Sequence, residues 1–261
     1  MKVHHLDCGT MAPPLTPRIP AHCLLVEGAD GLVLVDTGFG LLDCADPAGR
    51  LGPSRFLLRP ALSASQTAYR QIERLRLDPH DVRDIVITHA DGDHTGGLAD
   101  FPWARVHTTA AEARVAVAPE TALERARYRS PQVAHGPRWE THEPTGEPWR
   151  GFEAVQEILD GILLIGFPGH TRGHAMVAVD ASDGGRDRWV LHAGDAFYSR
   201  AQLTGGRTSP NLLLTERAFA HDWRRVQANH ARLAELIAST DDGELLVFAA
   251  HDPAGLDAAT E

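Results

Sequence analysis

Lysine is almost absent from this chain, since Lys2 is the only lysine among 25 basic residues. Acidic residues number 35, which gives a formal net charge of −10 and an isoelectric point near 5.8. Such a chain presents no broad positive field to attract nucleic acid or an anionic membrane. We therefore expect a small-molecule substrate, and neither nucleic acid nor membrane as a partner. The sequence leaves open whether the chain forms a homodimer.

Cysteines and long apolar runs are also scarce. The three cysteines, Cys8, Cys23 and Cys44, form no CxxC pair, which argues against a disulfide framework and a cysteine-based zinc site. Reduced, buried thiols are the simpler interpretation. The first residues, MKVHHLDCGTMAPPL, lack the apolar segment of a signal peptide, and no run approaches the roughly 18 apolar residues of a membrane helix. These absences predict a cytoplasmic protein.

The 261 residues have an ordinary globular composition, with 43% hydrophobic and 23% charged residues. We expect a single domain over residues 1–261. Apolar β-branched runs and turn residues predict hairpins over 21–38, around Asp160-Gly161 and over 175–195, and strands at 84–88, 103–109 and 244–252. Helical spacing predicts helices over 65–77, capped by Ser63 or Ser65, over 110–118, and over 215–240, capped near Thr215.

Two segments, about 41–62 and 119–152, show little periodicity and are expected to be loop insertions that cover the mouth of a site. The second contains Trp139 and Trp149 and five arginines: Arg125, Arg127, Arg129, Arg138 and Arg150. One interpretation is a pocket for an acidic or aromatic substrate. The other is a polar flap with solvated arginines, which is favoured because no spacing fixes a geometry.

The segment ITHADGDHTGGL, residues 87–98, crowds His89, Asp91, Asp93 and His94 into six residues directly after an apolar run. Unpaired carboxylates packed this closely repel one another, and a divalent cation removes that cost. Imidazole with carboxylate suits zinc, iron or manganese. The alternative is a solvated acidic loop.

Three more candidate ligands follow apolar runs further along the chain. His170 lies in PGHTRGH, Asp195 in AGD and His251 in AHD. Strand ends at one rim of a β core can converge on a single site, and loops held by a rigid sheet are where chemistry usually resides.

This ordered set resembles the metallo-β-lactamase superfamily of metal-dependent hydrolases, over about residues 20–252. The resemblance implies an α+β fold, a four-layer αββα sandwich with two metal ions between the sheets. It assigns one ion to His89, Asp91 and His170, the second to Asp93, His94 and His251, and a bridging role to Asp195. His174 is then a supporting residue, and Asp36 is either a carboxylate that orients a ligand histidine or a plain turn residue.

Asp91 departs from the pattern of the superfamily, which has histidine at this position. A carboxylate adds a negative charge, which makes the site harder and its metal a weaker Lewis acid. We expect two divalent ions, zinc first, with iron or manganese as alternatives.

The expected reaction is hydrolysis by a hydroxide that bridges the two ions, with Asp93 guiding the proton. AGDAFY places Tyr198 three residues after Asp195, and DGDHTGG is similar to DHAGG, as in the N-acyl-homoserine lactonases of the superfamily. The resemblance implies that Tyr198 polarises a lactone carbonyl, whereas a packed tyrosine is the alternative. A lactone or other carboxylic ester is the favoured substrate.

The rival function is a diiron redox enzyme, an oxygenase or sulfur dioxygenase, because a carboxylate at Asp91 favours iron.

Overall fold

Two β-sheets pack face to face in the computed structural model of the chain, which describes residues 1–183, 185–241 and 243–260. Within these residues the larger sheet has seven strands in the order β4-β1-β2-β3-β5-β6-β7. The strands are β1 (Lys2–Met11), β2 (Ile19–Gly28), β3 (Gly31–Val35), β4 (Pro60–Ala61), β5 (Val82–Val86), β6 (Arg105–Thr109) and β7 (Arg138–His142). Strands β1, β2 and β3 pair antiparallel, whereas β3, β5, β6 and β7 run parallel.

The smaller sheet has five strands in the described part of the chain, in the order β12-β11-β10-β9-β8. They are β8 (Val155–Leu159), β9 (Ile162–Gly166), β10 (Ala175–Asp180), β11 (Trp189–His192) and β12 (Leu245–Phe248). All pairings are antiparallel except that of β11 with β12. The predicted hairpins around Asp160-Gly161 and over 175–195 are the β8–β9 and β10–β11 pairs.

Helices connect many of the strands. They are α1 (Leu41–Ala45), α2 (Pro47–Leu51), α3 (Ser54–Leu58), α4 (Ala68–Arg74), α5 (Gly92–Thr95), α6 (Ala110–Val117), α7 (Ala122–Arg127), α8 (Ser130–Val133), α9 (Pro210–Phe219), α10 (Trp223–Ser239) and α11 (Pro253–Thr260). Short 3₁₀ turns span Ala64–Gln66, Pro79–Asp81, Gly96–Asp100 and Arg200–Gln202.

The hydrophobic core has three layers, which shows how the sheets and helices stack. Between the sheets, Val33 and Val86 of the larger sheet pack with Leu164 and Val177 of the smaller one. Ile72 of α4 packs on the outer face of the larger sheet, and Leu233 of α10 packs on that of the smaller sheet. Each such fully buried aliphatic side chain contributes about 1.5–3 kcal/mol. The predicted four-layer αββα sandwich is confirmed.

The two segments predicted as loop insertions are not loops. Residues 41–62 contain α1, α2, α3 and the short strand β4, and residues 119–152 contain α7, α8 and β7, which extends the larger sheet by one parallel strand. Their helices are only four to six residues long, too short to generate the hydrophobic periodicity that reveals a helix in sequence.

Two helix predictions were wrong at their ends. The segment 65–77 is helical only over α4, and its cap is Thr67 rather than Ser63 or Ser65. The segment 215–240 is two helices, α9 and α10, and Asp222 caps the second by accepting from two backbone N–H groups. The break has a tertiary cause: the N–H groups of His221 and Asp222 donate to the carbonyls of His170 and Gly169.

Candidate metal centre

The ends of four strands deliver the predicted ligands to one rim between the sheets. His89 follows β5, His170 follows β9, Asp195 follows β11 and His251 follows β12. Backbone hydrogen bonds fix the spacing of these loops, since Ala175 N–H donates to Thr88 O and Ala250 N–H to Gly194 O.

All seven predicted ligands meet in this cluster, in three overlapping groups whose donor atoms lie within 4.8 Å of one another. The groups are His89, Asp91 and His170; His89, His94 and Asp195; and Asp93, His94 and His251. Asp195 lies between the first and third groups, with its Oδ2 3.3 Å from His170 Nε2 and 3.2 Å from His251 Nε2. The arrangement matches the ligand sets implied by the resemblance, and metal binding itself stays a prediction.

The Nδ1 atoms of three of the histidines are held by hydrogen bonds that turn Nε2 into the cluster. His94 Nδ1 lies 2.8 Å from Asp36 Oδ2, His251 Nδ1 lies 2.8 Å from Pro20 O, and His89 Nδ1 lies 3.0 Å from Thr88 Oγ1. Partners of this kind fix ring orientation and raise ligand basicity in metal sites. Asp36 is therefore the orienting carboxylate rather than a plain turn residue, and it also accepts from Thr88 N–H and Oγ1–H at 2.8 Å.

The donor atoms left over in the cluster fit a divalent metal ion. His89 Nε2, His94 Nε2 and Asp195 Oδ1 are buried, and no described residue forms a hydrogen bond with them. His94 Nε2 and Asp195 Oδ1 are 3.2 Å apart without the alignment of a hydrogen bond. Buried polar atoms are rarely left unpaired, and imidazole and carboxylate are the donors that zinc and its neighbours prefer.

Charges in the cluster also call for a cation. Burial opposes ionisation of Asp195, yet His251, His94 and His170 hold its pKa well below the usual range. Burial likewise opposes protonation of His251, but Asp195 and Asp93 raise its pKa to about 10. The carboxylates therefore keep their charge, and they require either protonated imidazoles or another cation beside them.

Arg127, one of the five arginines of segment 119–152, pairs with Asp91, a contact that the sequence did not indicate. Its Nε lies 2.5 Å from Asp91 Oδ1 and its Nη2 lies 2.6 Å from Asp91 Oδ2, a two-pronged ion pair with both side chains only 13% exposed. Burial would raise the pKa of Asp91, but Arg127, His170 and His89 hold it well below its usual range. The segment 119–152 does cover the site, but this arginine is neither solvated nor free for a substrate. As the last residue of a six-residue helix, it gave no signal in sequence.

Glu112 is a second residue that the sequence analysis overlooked. It is fully buried in α6, where Oε1 accepts from Ala90 N–H at 2.9 Å and Oε2 accepts from Thr171 Oγ1–H at 2.7 Å and Gly173 N–H at 3.0 Å. Glu112 thus ties the loop that carries His89 and Asp91 to the loop that carries His170. A glutamate in the first turn of a helix is common, so the sequence did not mark it out.

His174 supports the site rather than contributing a donor to it. Its Nε2 accepts from Asp195 N–H at 3.0 Å and its Nδ1 lies 3.1 Å from Phe167 O. Gly194 makes this contact feasible, because its φ is +54° and a Cβ there would lie 2.7 Å from His174 Nε2.

Tyr198 borders the cluster. Its ring centroid lies 5.4 Å from that of His251 and 6.2 Å from that of His170, and its side chain is buried. Burial and the nearby Asp195 raise the pKa of Tyr198 well above 10, so the phenol keeps its proton. A role of this hydroxyl in catalysis stays a prediction.

Arg50 fastens the two covering segments to the site. Its guanidinium donates to Asp43, Gln132 and the carbonyl of Gly96, at 2.9, 2.7 and 3.0 Å respectively. The segments 41–62 and 119–152 therefore meet beside the turn that follows His94.

In the described part of the chain, no helix is long and apolar enough to cross a membrane.

Comparison with known proteins agrees with the fold. Residues 16–251 match the profile of the metallo-beta-lactamase superfamily. A probable metallo-hydrolase of Mycobacterium tuberculosis is 51% identical over 257 residues, which cover 97% of this chain and 81% of that protein. An N-acyl homoserine lactonase, AttM, of Rhizobium johnstonii is 29% identical over 158 residues, 60% of this chain and 58% of that protein.

Among solved structures, that of a Bacillus thuringiensis AiiA variant with N-decanoyl-L-homoserine bound at its active site has a similar fold. The TM-score is 0.73 at 20% identity, covering 98% of this chain and 95% of that one. From the profile match and the 51% identical relative, the chain belongs to the metallo-beta-lactamase superfamily, as a metal-dependent hydrolase whose similar proteins include N-acyl homoserine lactonases.

Proposed function

We propose that the chain hydrolyses lactones or other carboxylic esters with zinc as its metal. The observation that carries the proposal is the pair of buried donor atoms without partners, His94 Nε2 and Asp195 Oδ1, at the rim between the sheets. The similarity to lactonases supports a lactone as the substrate. N-decanoyl-L-homoserine, bound in the similar AiiA structure, is the ring-opened form of a lactone.

The residues that would hold the metal are Asp93, His94, Asp195 and His251. A divalent ion there supplies Lewis acidity, which lowers the pKa of water and polarises a carbonyl oxygen. Asp93, whose Oδ2 lies 3.3 Å from His251 Nε2, is the carboxylate assigned to take the proton of the attacking water.

Tyr198 would act on the other side of the reaction. Because the phenol keeps its proton and its ring borders those of His170 and His251, it can donate a hydrogen bond to an oxygen that gains negative charge. Preorganised donors of this kind are worth about 3–4 kcal/mol of transition-state stabilisation. Tyr198→Phe should therefore lower kcat about 100-fold or more, with little change in metal content.

The test is proton release from a panel of N-hexanoyl and N-decanoyl homoserine lactones, a simple γ-lactone and an aryl acetate. Protein of measured metal content is compared with metal-depleted protein, and His80→Ala, at an exposed histidine outside the three donor groups, serves as the matched control. Metal-dependent turnover of at least one lactone or ester is expected. Metal-loaded protein that hydrolyses none of them, or that consumes oxygen instead, overturns the proposal.

A further inference from the structure

Arg127 stands where a metal ion would be expected to neutralise Asp91. Its Nε and Nη2 donate to the two oxygens of that carboxylate, and Nη2 also lies 2.6 Å from His170 Nε2. Asp91 and His170 are two of the three members of the first donor group. One guanidinium therefore contacts most of the atoms to which the resemblance assigns a metal.

The guanidinium is held from its other side as well. Nη1 donates to Phe219 O at 2.7 Å and to His170 O at 3.2 Å. The helix that carries Arg127 begins with a reciprocal cap, in which Thr121 Oγ1 accepts from Glu124 N–H and the Glu124 carboxylate accepts from Thr121 N–H. Contacts from α7, α9 and the His170 loop together hold the arginine, so its position is fixed by tertiary packing.

Lone pairs decide what this contact means for a metal. A neutral imidazole has one lone pair in the ring plane, and Nε2 uses it either for a metal ion or for an N–H donor. Arginine has only donors, so the contact at 2.6 Å uses the lone pair of His170 Nε2. The positive charge of Arg127 also offsets the extra negative charge that Asp91 brings in place of a histidine.

We propose that the Arg127 guanidinium replaces one of the two metal ions, so that the chain holds a single divalent ion at Asp93, His94, Asp195 and His251. The carboxylate at Asp91 is then explained by an arginine partner rather than by a preference for iron. This inference rests on the metal centre of the proposed function but not on its substrate. Its test counts metal ions, so a failure of lactone hydrolysis leaves the counts interpretable.

The experiment titrates metal-depleted protein with Zn²⁺, and in parallel with Co²⁺, and measures ions per chain by mass spectrometry after free metal is removed. Wild type should retain one ion. Arg127→Ala should retain two, because it frees the lone pair of His170 Nε2 and leaves Asp91 buried without a cation. The matched control is Arg125→Ala, at an exposed arginine on the same helix, which should retain one.

A second variant keeps the test decisive if Arg127→Ala fails to fold, as judged by circular dichroism. Asp91→His with Arg127→Ala removes both charges together and restores the usual ligand type, so it should retain two ions, and Co²⁺ should give a second, distinct absorption spectrum. Two tightly held ions in wild type would overturn the proposal. So would a single ion in the double variant, or a fall in metal affinity in Arg127→Ala of the 10–100-fold expected when a ligand loses a supporting partner.

Discussion

Removing the bridge made by Glu112 should damage both the fold and the metal centre. The carboxylate accepts three hydrogen bonds, from Ala90 N–H, Thr171 Oγ1–H and Gly173 N–H, and it is completely buried. Ala90 lies between His89 and Asp91, and Thr171 follows His170. This side chain therefore ties together the loops on which these ligands lie, in addition to the backbone hydrogen bond from Ala175 N–H to Thr88 O.

The expected loss of folding stability follows from the number of buried donors left without an acceptor. Each buried donor that loses its partner costs about 1–3 kcal/mol, so Glu112→Ala should cost roughly 3–9 kcal/mol. Domains are stable by only about 5–15 kcal/mol, so this variant should lose a large share of its stability. Glu112→Gln keeps the shape, but its amide NH₂ must face either Ala90 N–H or Gly173 N–H, which leaves one backbone donor unpaired and should cost about 1–3 kcal/mol.

The assay is urea unfolding of metal-depleted wild type, Glu112→Gln and Glu112→Ala, followed by Zn²⁺ titration of the variants that fold. Glu147→Gln is the matched control, because Glu147 is exposed. Glu112→Gln should also bind Zn²⁺ about 10–100-fold more weakly, as is usual when support for ligands is lost. If it matched Glu147→Gln in both stability and Zn²⁺ affinity, the account of Glu112 as a bridge between ligand loops would be wrong.

Three further predictions concern aspartates in and around the site. Asp195→Ala removes the carboxylate between the donor groups, so metal content and hydrolysis should fall together; normal turnover by this variant would contradict its assignment. Asp36→Asn replaces one acceptor that faces Thr88 or His94 with a donor, and should weaken Zn²⁺ binding about 10–100-fold relative to Asp30→Asn at an exposed position. Burial raises the pKa of Asp100 from 3.8 to about 6, so the folded state binds this proton more tightly than the unfolded state, and the associated stability is lost as pH rises from about 4 through 6. Asp100→Asn should therefore match wild type in urea unfolding near pH 4 and exceed it by up to about 3 kcal/mol near pH 8; equal stability at both values would show that Asp100 titrates normally.

The amino-acid sequence was sufficient for the elements with a local signal. Alternating and β-branched runs gave most of the strands, and turn residues such as Asp160-Gly161 gave the hairpins. The ligands were visible for the same reason, because each follows an apolar strand and belongs to a short motif with fixed spacing. Where elements were short, as in 41–62 and 119–152, the periodic signal was too weak and helices were mistaken for loops.

The order of motifs in the sequence indicated the superfamily, and the resemblance then implied the αββα sandwich and the seven candidate ligands. This worked because a metal site at strand ends needs particular side chains at particular points in the chain. Only the tertiary structure decided what surrounds those ligands. Arg127 lies 36 residues beyond Asp91, and Glu112 is separated from Gly173 by 61 residues. Contacts over such distances depend on how helices pack across the ends of the sheets. The sequence identified the donors, and packing determined which charge each of them meets.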